Sequence, residues 1–153
     1  MHGQTTPKIL IIESQLIIAA DLSLQFSKLG YDVLGMHTCL KDALPSLLGN
    51  PPDIVVMNIG TESNAARLEA VCTIFENLHI PLIYLSGNYN EEIFEALLDT
   101  RPHAFISKPF DQQDLKKGIE TALHRMATED PDAERIKEGY EIPLVSPGQP
   151  LGK

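Results

Sequence analysis

Four short apolar runs in this 153-residue chain end on polar side chains that are able to do chemistry together. The run ILII is followed by Glu13 and Ser14, IVVM by Asn58, IYL by Ser86, and AFIS by Lys108. A carboxylate, hydroxyls and an ammonium group can bind cations or anions, and some can act as nucleophiles. Asn58 raises the first question, because a carboxylate would be the more useful group at that position.

The apolar pattern predicts a sheet that would position these residues. Five short runs have the length and composition of buried strands, at 8–12, 31–36, 54–57, 82–85 and 104–106. Apolar residues at helical spacing predict helices over 15–29, 38–48, 65–78, 91–98 and from 111 to about 126. Thr38 and Asp111 are predicted N-caps, Gly30 should end the first helix, and Pro45 should shorten or bend the second.

The order of these elements predicts the fold class. Strands and helices alternate, and no strand shows the polar–apolar alternation of a half-exposed sheet, so we expect a parallel sheet with helices on both faces. Right-handed crossovers favour an α/β, flavodoxin-like, doubly wound sheet of five strands in the order 2-1-3-4-5. The carboxyl ends of strands 1, 3, 4 and 5 meet at one edge of such a sheet, which brings the polar residues together.

Composition and charge narrow the class of function. A net charge of −9, with only 12 scattered basic residues, argues against a nucleic-acid surface. No apolar run approaches the roughly 20 residues of a membrane span, and residues 1–7 lack the pattern of a signal peptide. Cys39 and Cys72 form no C-x-x-C, and the histidines show no metal-ligand spacing. We therefore expect reduced thiols, no metal site and a cytoplasmic protein.

The chain is predicted to contain one folded domain between two flanking segments. We predict a flexible N-terminus at 1–7, a domain at 8–126, and a tail or linker at 127–153. The last 27 residues contain four prolines, three glycines and six acidic residues, a composition that does not extend a core. The stretch EIPLVSPGQPLGK is expected to be extended, and a linker would imply a following domain.

Four motifs resemble the receiver domain of two-component response regulators. ILIIES resembles its first strand with an acidic pair, VVMNIG the strand that ends in the phosphoacceptor, IYLSG the hydroxyl-bearing strand, and FISKPF the lysine–proline turn. The motifs occur in the family's order, and the resemblance covers roughly residues 7–126. It implies a signalling module in a two-component or phosphorelay pathway, and not an enzyme.

The resemblance also implies roles for single residues. In the family, two acids on the first strand and an aspartate on the third bind Mg²⁺, the aspartate accepts the phosphoryl group, and a hydroxyl and a lysine hold its oxygens. Here Glu13 keeps one acid, Ser14 replaces the other, and Asn58 stands at the phosphoacceptor position. Ser86 and Lys108 match the two phosphoryl contacts.

Two further positions belong to the resemblance. Phe105, three residues before Lys108, matches the family's switch aromatic, and the Lys108–Pro109 bond is expected to be cis. We expect Lys108 to turn inward toward Glu13 or the Asn58 side-chain oxygen, because a partly buried lysine needs a partner. The loop GTESNAA after the third strand departs from the family, since it lacks the usual proline–glycine turn.

Asn58 predicts a receiver that does not receive phosphate. A carboxylate can attack a phosphodonor, whereas an amide nitrogen is delocalised into its carbonyl and is a poor nucleophile. Mg²⁺ prefers hard oxygen ligands, usually with one or two carboxylates. The family's three acids and one lysine sum to −2, whereas Glu13 and Lys108 sum to zero. We therefore expect no cofactor, and weak or absent Mg²⁺ binding.

Each of these side chains also has a simpler structural explanation. Ser14 could cap the first helix, and Ser86 could bond to backbone. Lys108 could be a surface lysine, and Phe105 could be a core residue.

Three functions remain open from the residues. The leading one is a pseudo-receiver that binds partner proteins, or a fused sensor or output domain, without phosphorylation. The second is a phosphorylation-competent regulator that uses another acid, with Glu62 as the nearest candidate. The third is a ligand-binding or enzymatic α/β domain, against which the chain has no G-x-G-x-x-G, P-loop or G-x-S-x-G. In the family, the fourth helix, fifth strand and fifth helix commonly form dimers or contact outputs, which here draws on 91–106 and 111–125 and makes a homodimer one candidate.

Overall fold

The fold is a parallel sheet with helices on both faces, and a computed structural model describes residues 6–59, 65–86, 102–128 and 144–145. Its strands are β1 (Lys8–Ile12), β2 (Asp32–His37), β3 (Ile54–Ile59), β4 (Leu82–Ser86), β5 (Ala104–Ser107) and β6 (Leu144–Val145). Its helices are α1 (Leu16–Lys28), α2 (Leu40–Gly49), α3 (Ala65–Leu78) and α4 (Gln112–Thr128). The predicted helix at 91–98 lies outside the described residues.

The strand order is β2-β1-β3-β4-β5-β6, and every neighbouring pair is parallel. This confirms the predicted flavodoxin-like order 2-1-3-4-5 and adds a sixth strand beside β5. Successive side chains of a strand point to opposite faces, so each central strand feeds two separate cores. One core lies under α2 and α3 and includes Leu10, Val55, Tyr84 and Phe105. The other lies under α1 and α4 and includes Ile11, Val56, Leu85 and Ile106.

The segment predicted as a tail contributes β6, which is a difference from the sequence-based expectation. Leu144 pairs with Phe105 and Val145 with Ile106, both in parallel register. An edge strand carries backbone donors and acceptors on its outer side, and β6 pairs with those of Phe105 and Ile106. A two-residue strand has no hydrophobic period, so spacing alone gives no signal for it.

The first two helices test the predicted end signals. Gly30 has φ of 96°, and the Gly30 N–H donates to Ser27 O while the Tyr31 N–H donates to Phe26 O, which confirms a glycine-terminated α1. The Phe26 and Tyr31 rings pack edge to face across this turn, with centroids 6.3 Å apart. The N-cap of α2 is Cys39 and not Thr38, whose hydroxyl instead donates to the Asp42 carboxylate.

Pro45 was expected to shorten or bend α2, yet the helix runs through it from Leu40 to Gly49. Proline removes one backbone donor, which leaves the carbonyl of Lys41 without its helical partner. Pro45 and Lys41 are both exposed, so water can solvate that carbonyl. The helix therefore continues without burying an unsatisfied group.

The N-terminus of α4 is closed by a reciprocal pair of aspartates. The Asp114 N–H donates to Asp111 Oδ1 at 2.9 Å, and the Asp111 N–H donates to Asp114 Oδ2 at 3.0 Å. This confirms the predicted N-cap at Asp111, in the reciprocal form of a capping box. The cap fixes the start of α4 directly after the turn that carries Lys108.

Helix α1 presents an apolar stripe to solvent. Leu16, Ile17 and Leu24 are 65%, 85% and 54% exposed, and Ala20 lies exposed between them. Among the described helices, none is long and apolar enough to cross a membrane.

Candidate functional site

Glu13 and Asn58 are brought together by the register of the two central strands. Ile12 of β1 pairs with Met57 of β3, so the next residues along each strand, Glu13 and Asn58, lie side by side. Because side chains two residues apart in a strand share a face, Glu13 and Asn58 lie on the same sheet face as Ile11 and Val56. This is the face covered by α1 and α4. Glu13 is only 3% exposed and Asn58 is half-buried. The predicted convergence of these two residues at the carboxyl edge of the sheet is therefore observed.

The Glu13 carboxylate is held by hydrogen-bond donors. The Asn58 side-chain Nδ2 donates to Glu13 Oε1. On the other oxygen, Oε2 accepts the Gln15 backbone N–H at 2.7 Å and the Ser14 hydroxyl at 3.4 Å. Gln15 is the N-cap of α1, so the carboxylate also lies at the positive end of that helix. These contacts satisfy a buried negative charge without a cation.

The same geometry fits a Mg²⁺ ion poorly. Both Glu13 oxygens already accept hydrogen bonds, and Asn58 presents its NH₂ to the carboxylate, which directs its oxygen elsewhere. Asn58 Oδ1 is buried and accepts no hydrogen bond within the described part of the chain. No group of three or more His, Cys, Asp or Glu side chains suited to a metal occurs among the described residues. Of the described residues, Glu13 is the one carboxylate that a metal here would have, and Asn58 already donates to it.

Ser14 lies beside the carboxylate but does not cap the helix. It is exposed, and α1 has Gln15 as its N-cap with no side-chain capping bond. The simpler explanation of Ser14 as an N-cap is therefore not observed. Its hydroxyl instead donates to Glu13 Oε2.

Ser86 and Lys108 lie at the neighbouring strand ends. Ser86 is 1% exposed and pairs in register with Ile59, one residue beyond the level of Asn58. The Lys108 backbone N–H donates to Ser86 O at 2.9 Å, so these two residues are joined through backbone. The Lys108–Pro109 bond is cis, the geometry that the resemblance implied.

The expected pairing of the Lys108 side chain is not observed. Its side chain is half-buried, yet among the described residues it forms no ion pair with Glu13 and no hydrogen bond to Asn58 Oδ1. The reason lies in the competing donors, because Asn58 and the Gln15 N–H already occupy Glu13. Gln15 was not among the predicted site residues, because only its position at the start of α1 indicates that its backbone N–H is available as a donor.

The structure describes Phe105 and part of the predicted partner face, which draws on residues 91–106 and 111–125. Phe105 is 1% exposed and belongs to the core under α2 and α3, which agrees with its simpler explanation. The partner face keeps the exposed lysines Lys116 and Lys117 on α4, whereas the outer edge of β5 is paired with β6. Glu62 and the helix at 91–98 lie outside the described residues.

A comparison against protein families identifies the domain. The model of the response regulator receiver domain matches residues 9–120, which is most of the chain. The chain belongs to this receiver family. The matched region contains the Glu13–Asn58 pair, Ser86 and Lys108.

Individual relatives are similar at moderate identity. The transcriptional regulatory protein PdtaR of Mycobacterium tuberculosis is 26% identical over 132 residues, covering 82% of this chain and 64% of that protein. The phyllosphere-induced regulator PhyR of Methylorubrum extorquens is 29% identical over 119 residues, covering 76% of this chain and 43% of that protein. The matched regions thus span less than two thirds of both regulators.

A solved structure gives the same fold. The signal receiver domain of a modulated diguanylate cyclase from Desulfovibrio desulfuricans G20, described as an example of alternate folding, has a TM-score of 0.69 at 26% identity. The alignment covers 82% of this chain and 100% of that domain. This receiver family is regulatory, and the receiver is the part of such proteins that this chain matches.

Proposed function

We propose that this chain is a receiver-family signalling module that takes up no phosphoryl group at Asn58 and acts by protein–protein contact. The observation that carries the proposal is the hydrogen bond from the Asn58 amide to Glu13. In a phosphate-accepting receiver the same position must offer a nucleophilic oxygen. Here it offers an amide donor to a carboxylate. The Asn58 amide stabilises the carboxylate and is itself a poor nucleophile toward phosphorus.

The charge of the pocket supports the same proposal. Glu13 is the one described acid at this end of β1, and its oxygens accept from Asn58 and the Gln15 N–H. Without a second and third carboxylate, the pocket attracts Mg²⁺ weakly, and the phosphoryl oxygens lose the metal that would share their charge. We therefore propose signalling through the surface of the module rather than through its pocket.

The test is phosphoryl transfer measured by intact mass. Wild-type protein, treated with acetyl phosphate and Mg²⁺, should show no phosphoryl adduct. Asn58→Asp alone should gain little, because the metal site still lacks one carboxylate, and Ser14→Asp alone should gain some Mg²⁺ affinity but no acceptor. The double variant should gain both Mg²⁺ binding and adduct formation far beyond the sum of the singles, since the two groups act in one site.

The mapped position of any adduct decides between the two signalling hypotheses. A modification that resists acid and hydroxylamine is not an acyl phosphate, and a modification that maps outside the pocket is not phosphoryl uptake at Asn58; either result leaves the proposal standing. An acyl phosphate on wild-type protein at any residue of the pocket contradicts it. That result would favour a conventional regulator with a substitute acid, for which Glu62→Gln is the direct follow-up.

The proposed contact surface includes α4. Lys116 and Lys117 are adjacent and exposed, and they are an isolated basic pair on a chain of net charge −9. An acidic partner surface is therefore the complementary one. Lys116→Glu with Lys117→Glu should slow partner association and leave the melting temperature within a few degrees, because surface charge changes cost little stability. Unchanged association would move the contact surface away from α4.

A further inference from the structure

The outer edge of β5 pairs with a short additional strand, and the receiver function does not explain this pairing. Two of its four residues, Phe105 and Ile106, pair with Leu144 and Val145, which lie far away in sequence. An edge strand exposes backbone donors and acceptors that can pair with any extended chain of suitable shape. In the part of the chain that the structure describes, the pairing strand is two residues long.

The sequence around β6 is suited to a short, self-limiting edge strand. Leu144 and Val145 are an apolar pair bracketed by Pro143 and Pro147. Prolines cannot donate to a backbone ladder, so this sequence disfavours a long strand on either side of the Leu144–Val145 pair.

The connection to β6 is long compared with the pairing it supports. Helix α4 ends at Thr128 and β6 begins at Leu144, so residues 129–143 join them. A chain of that length spans at most about 50 Å when extended, which reaches across a small domain. A strand on such a connection can pair with its own β5 or with the β5 of a second copy through the same contacts. Exchange of identical elements is a low-cost route to dimers.

We propose that the outer edge of β5 is a strand-binding site whose second occupant is the Leu144–Val145 strand of another copy of this chain. Two copies then exchange β6 strands across a two-fold axis, and each edge remains filled. The contacts that hold β6 in the monomer also hold it in the dimer. The ligand class of the site is an extended apolar dipeptide flanked by prolines, bound in parallel to β5. This inference does not depend on the state of Asn58.

The first experiment measures binding at the edge with a labelled peptide of residues 141–150. The tested variant is the full chain with Leu144→Pro and Val145→Pro, which removes the donors of β6, and the matched control carries Leu144→Ile and Val145→Ile. The peptide should bind the proline variant saturably. It should bind the isoleucine control about tenfold more weakly, because a tethered strand competes at roughly millimolar effective concentration.

The second experiment measures strand exchange by light scattering over a concentration series. Wild type and the isoleucine control should dimerise to the same extent as concentration rises, and the proline variant should stay monomeric. Lys116→Glu with Lys117→Glu should leave this dimer unchanged, which separates it from the proposed contact surface on α4. A mixed dimer between chains carrying two different tags should form slowly and depend on β6.

Three results would overturn the inference. One is a natively folded proline variant that binds no peptide. Another is a dimer that survives the proline substitutions, and the third is a wild type that stays monomeric at every concentration. If the prolines disturb folding, Leu144→Gly with Val145→Gly provides the second variant, because it keeps the backbone donors while removing the apolar side chains and lowering strand propensity. The peptide-binding and light-scattering experiments on this glycine variant then test the inference with the same expected results.

Discussion

Burial of the Glu13 carboxylate removes water from a charged group, and the surrounding donors must offset that desolvation. Charge-assisted hydrogen bonds are the stronger kind, and Glu13 receives them from a side-chain amide and from the start of a helix. Asn58 is well matched to this task because its NH₂ group donates and it carries no charge. Asn58 therefore provides an uncharged hydrogen-bond donor for the buried Glu13 carboxylate.

Asn58→Asp should destabilise the metal-free protein by about 1–3 kcal/mol at pH 7, because it replaces a donor with a second carboxylate beside Glu13. The two carboxylates repel each other only when both are ionised, so the variant should be most stable at acid pH and should lose stability as pH rises toward neutrality. Urea unfolding at pH 4.5 and pH 7 measures the effect. Asn50→Asp, at an exposed position, is the charge-matched control and should change stability by less than about 0.5 kcal/mol.

Tyr31 links protonation to the packing of α1. Burial raises the pKa of its phenol, and the nearby Glu120 carboxylate adds to the effect. The folded state therefore holds the phenol proton above pH 10.0, the ordinary value, where the unfolded chain releases it. Its contribution to stability is complete below pH 10.0 and is lost as pH rises toward the folded pKa. The free energy of unfolding of wild type should fall relative to that of Tyr31→Phe between pH 8 and a pH above 10. If the two free energies change in parallel with pH, Tyr31 is not the source of the pH dependence.

At the scale of elements, α4 approaches the sheet closely because Gly118 has no side chain. A Cβ at this position would lie 2.5 Å from Cδ1 and 3.1 Å from Cγ1 of the buried Ile106. Helix propensity disfavours glycine by about 1 kcal/mol, so packing and not helix formation explains its presence. The contact also couples α4 to β5, the strand that precedes Lys108.

Gly118→Ala should therefore lower stability by about 1 kcal/mol, since overpacking exceeds the gain in helix propensity. Ile106→Val removes Cδ1 and should cost about 1 kcal/mol alone. The double variant should be more stable than the sum of the singles predicts, by about 1 kcal/mol in a double-mutant cycle. Gly49→Ala, which has open space around its Cβ position in α2, should be neutral or stabilising. If the effects of Gly118→Ala and Ile106→Val simply add in the double variant, the contact between these two positions is not the cause of the lost stability.

Most elements follow directly from hydrophobic pattern. The predicted bounds of β1 and α3 agree with the structure, and the strands β3, β4 and β5 are one or two residues longer than predicted. These extensions carry the strands over Asn58, Ser86 and Ser107, because backbone pairing with neighbours continues past the last apolar residue. Local sequence cannot show how far a neighbour extends a ladder.

At the scale of the whole molecule, contacts between residues far apart in sequence decide which groups pair with each other. The sequence pattern does not predict that choice. The pattern predicted that Glu13, Asn58, Ser86 and Lys108 share one sheet edge, since topology fixes that edge. It did not predict which donors Glu13 would select, because that depends on register and on the first backbone N–H groups of α1. Strand β6 was missed for the same reason: two residues become a strand only through a distant edge.

The apolar stripe of α1 has a consequence for colloidal behaviour. Net charge of −9 keeps copies apart at neutral pH, and that repulsion disappears near the isoelectric point of about 4.9. Attraction between the stripes of different molecules then has no electrostatic opposition, so solubility should pass through a minimum near that pH and ammonium sulfate should deepen it. Ile17→Lys should raise the ammonium sulfate concentration needed for precipitation more than Ser27→Lys does, although both add one charge to exposed positions of the same helix. Equal effects of the two substitutions would assign the precipitation to net charge alone. A larger effect of Ile17→Lys would show that the apolar stripe of α1 mediates association between copies.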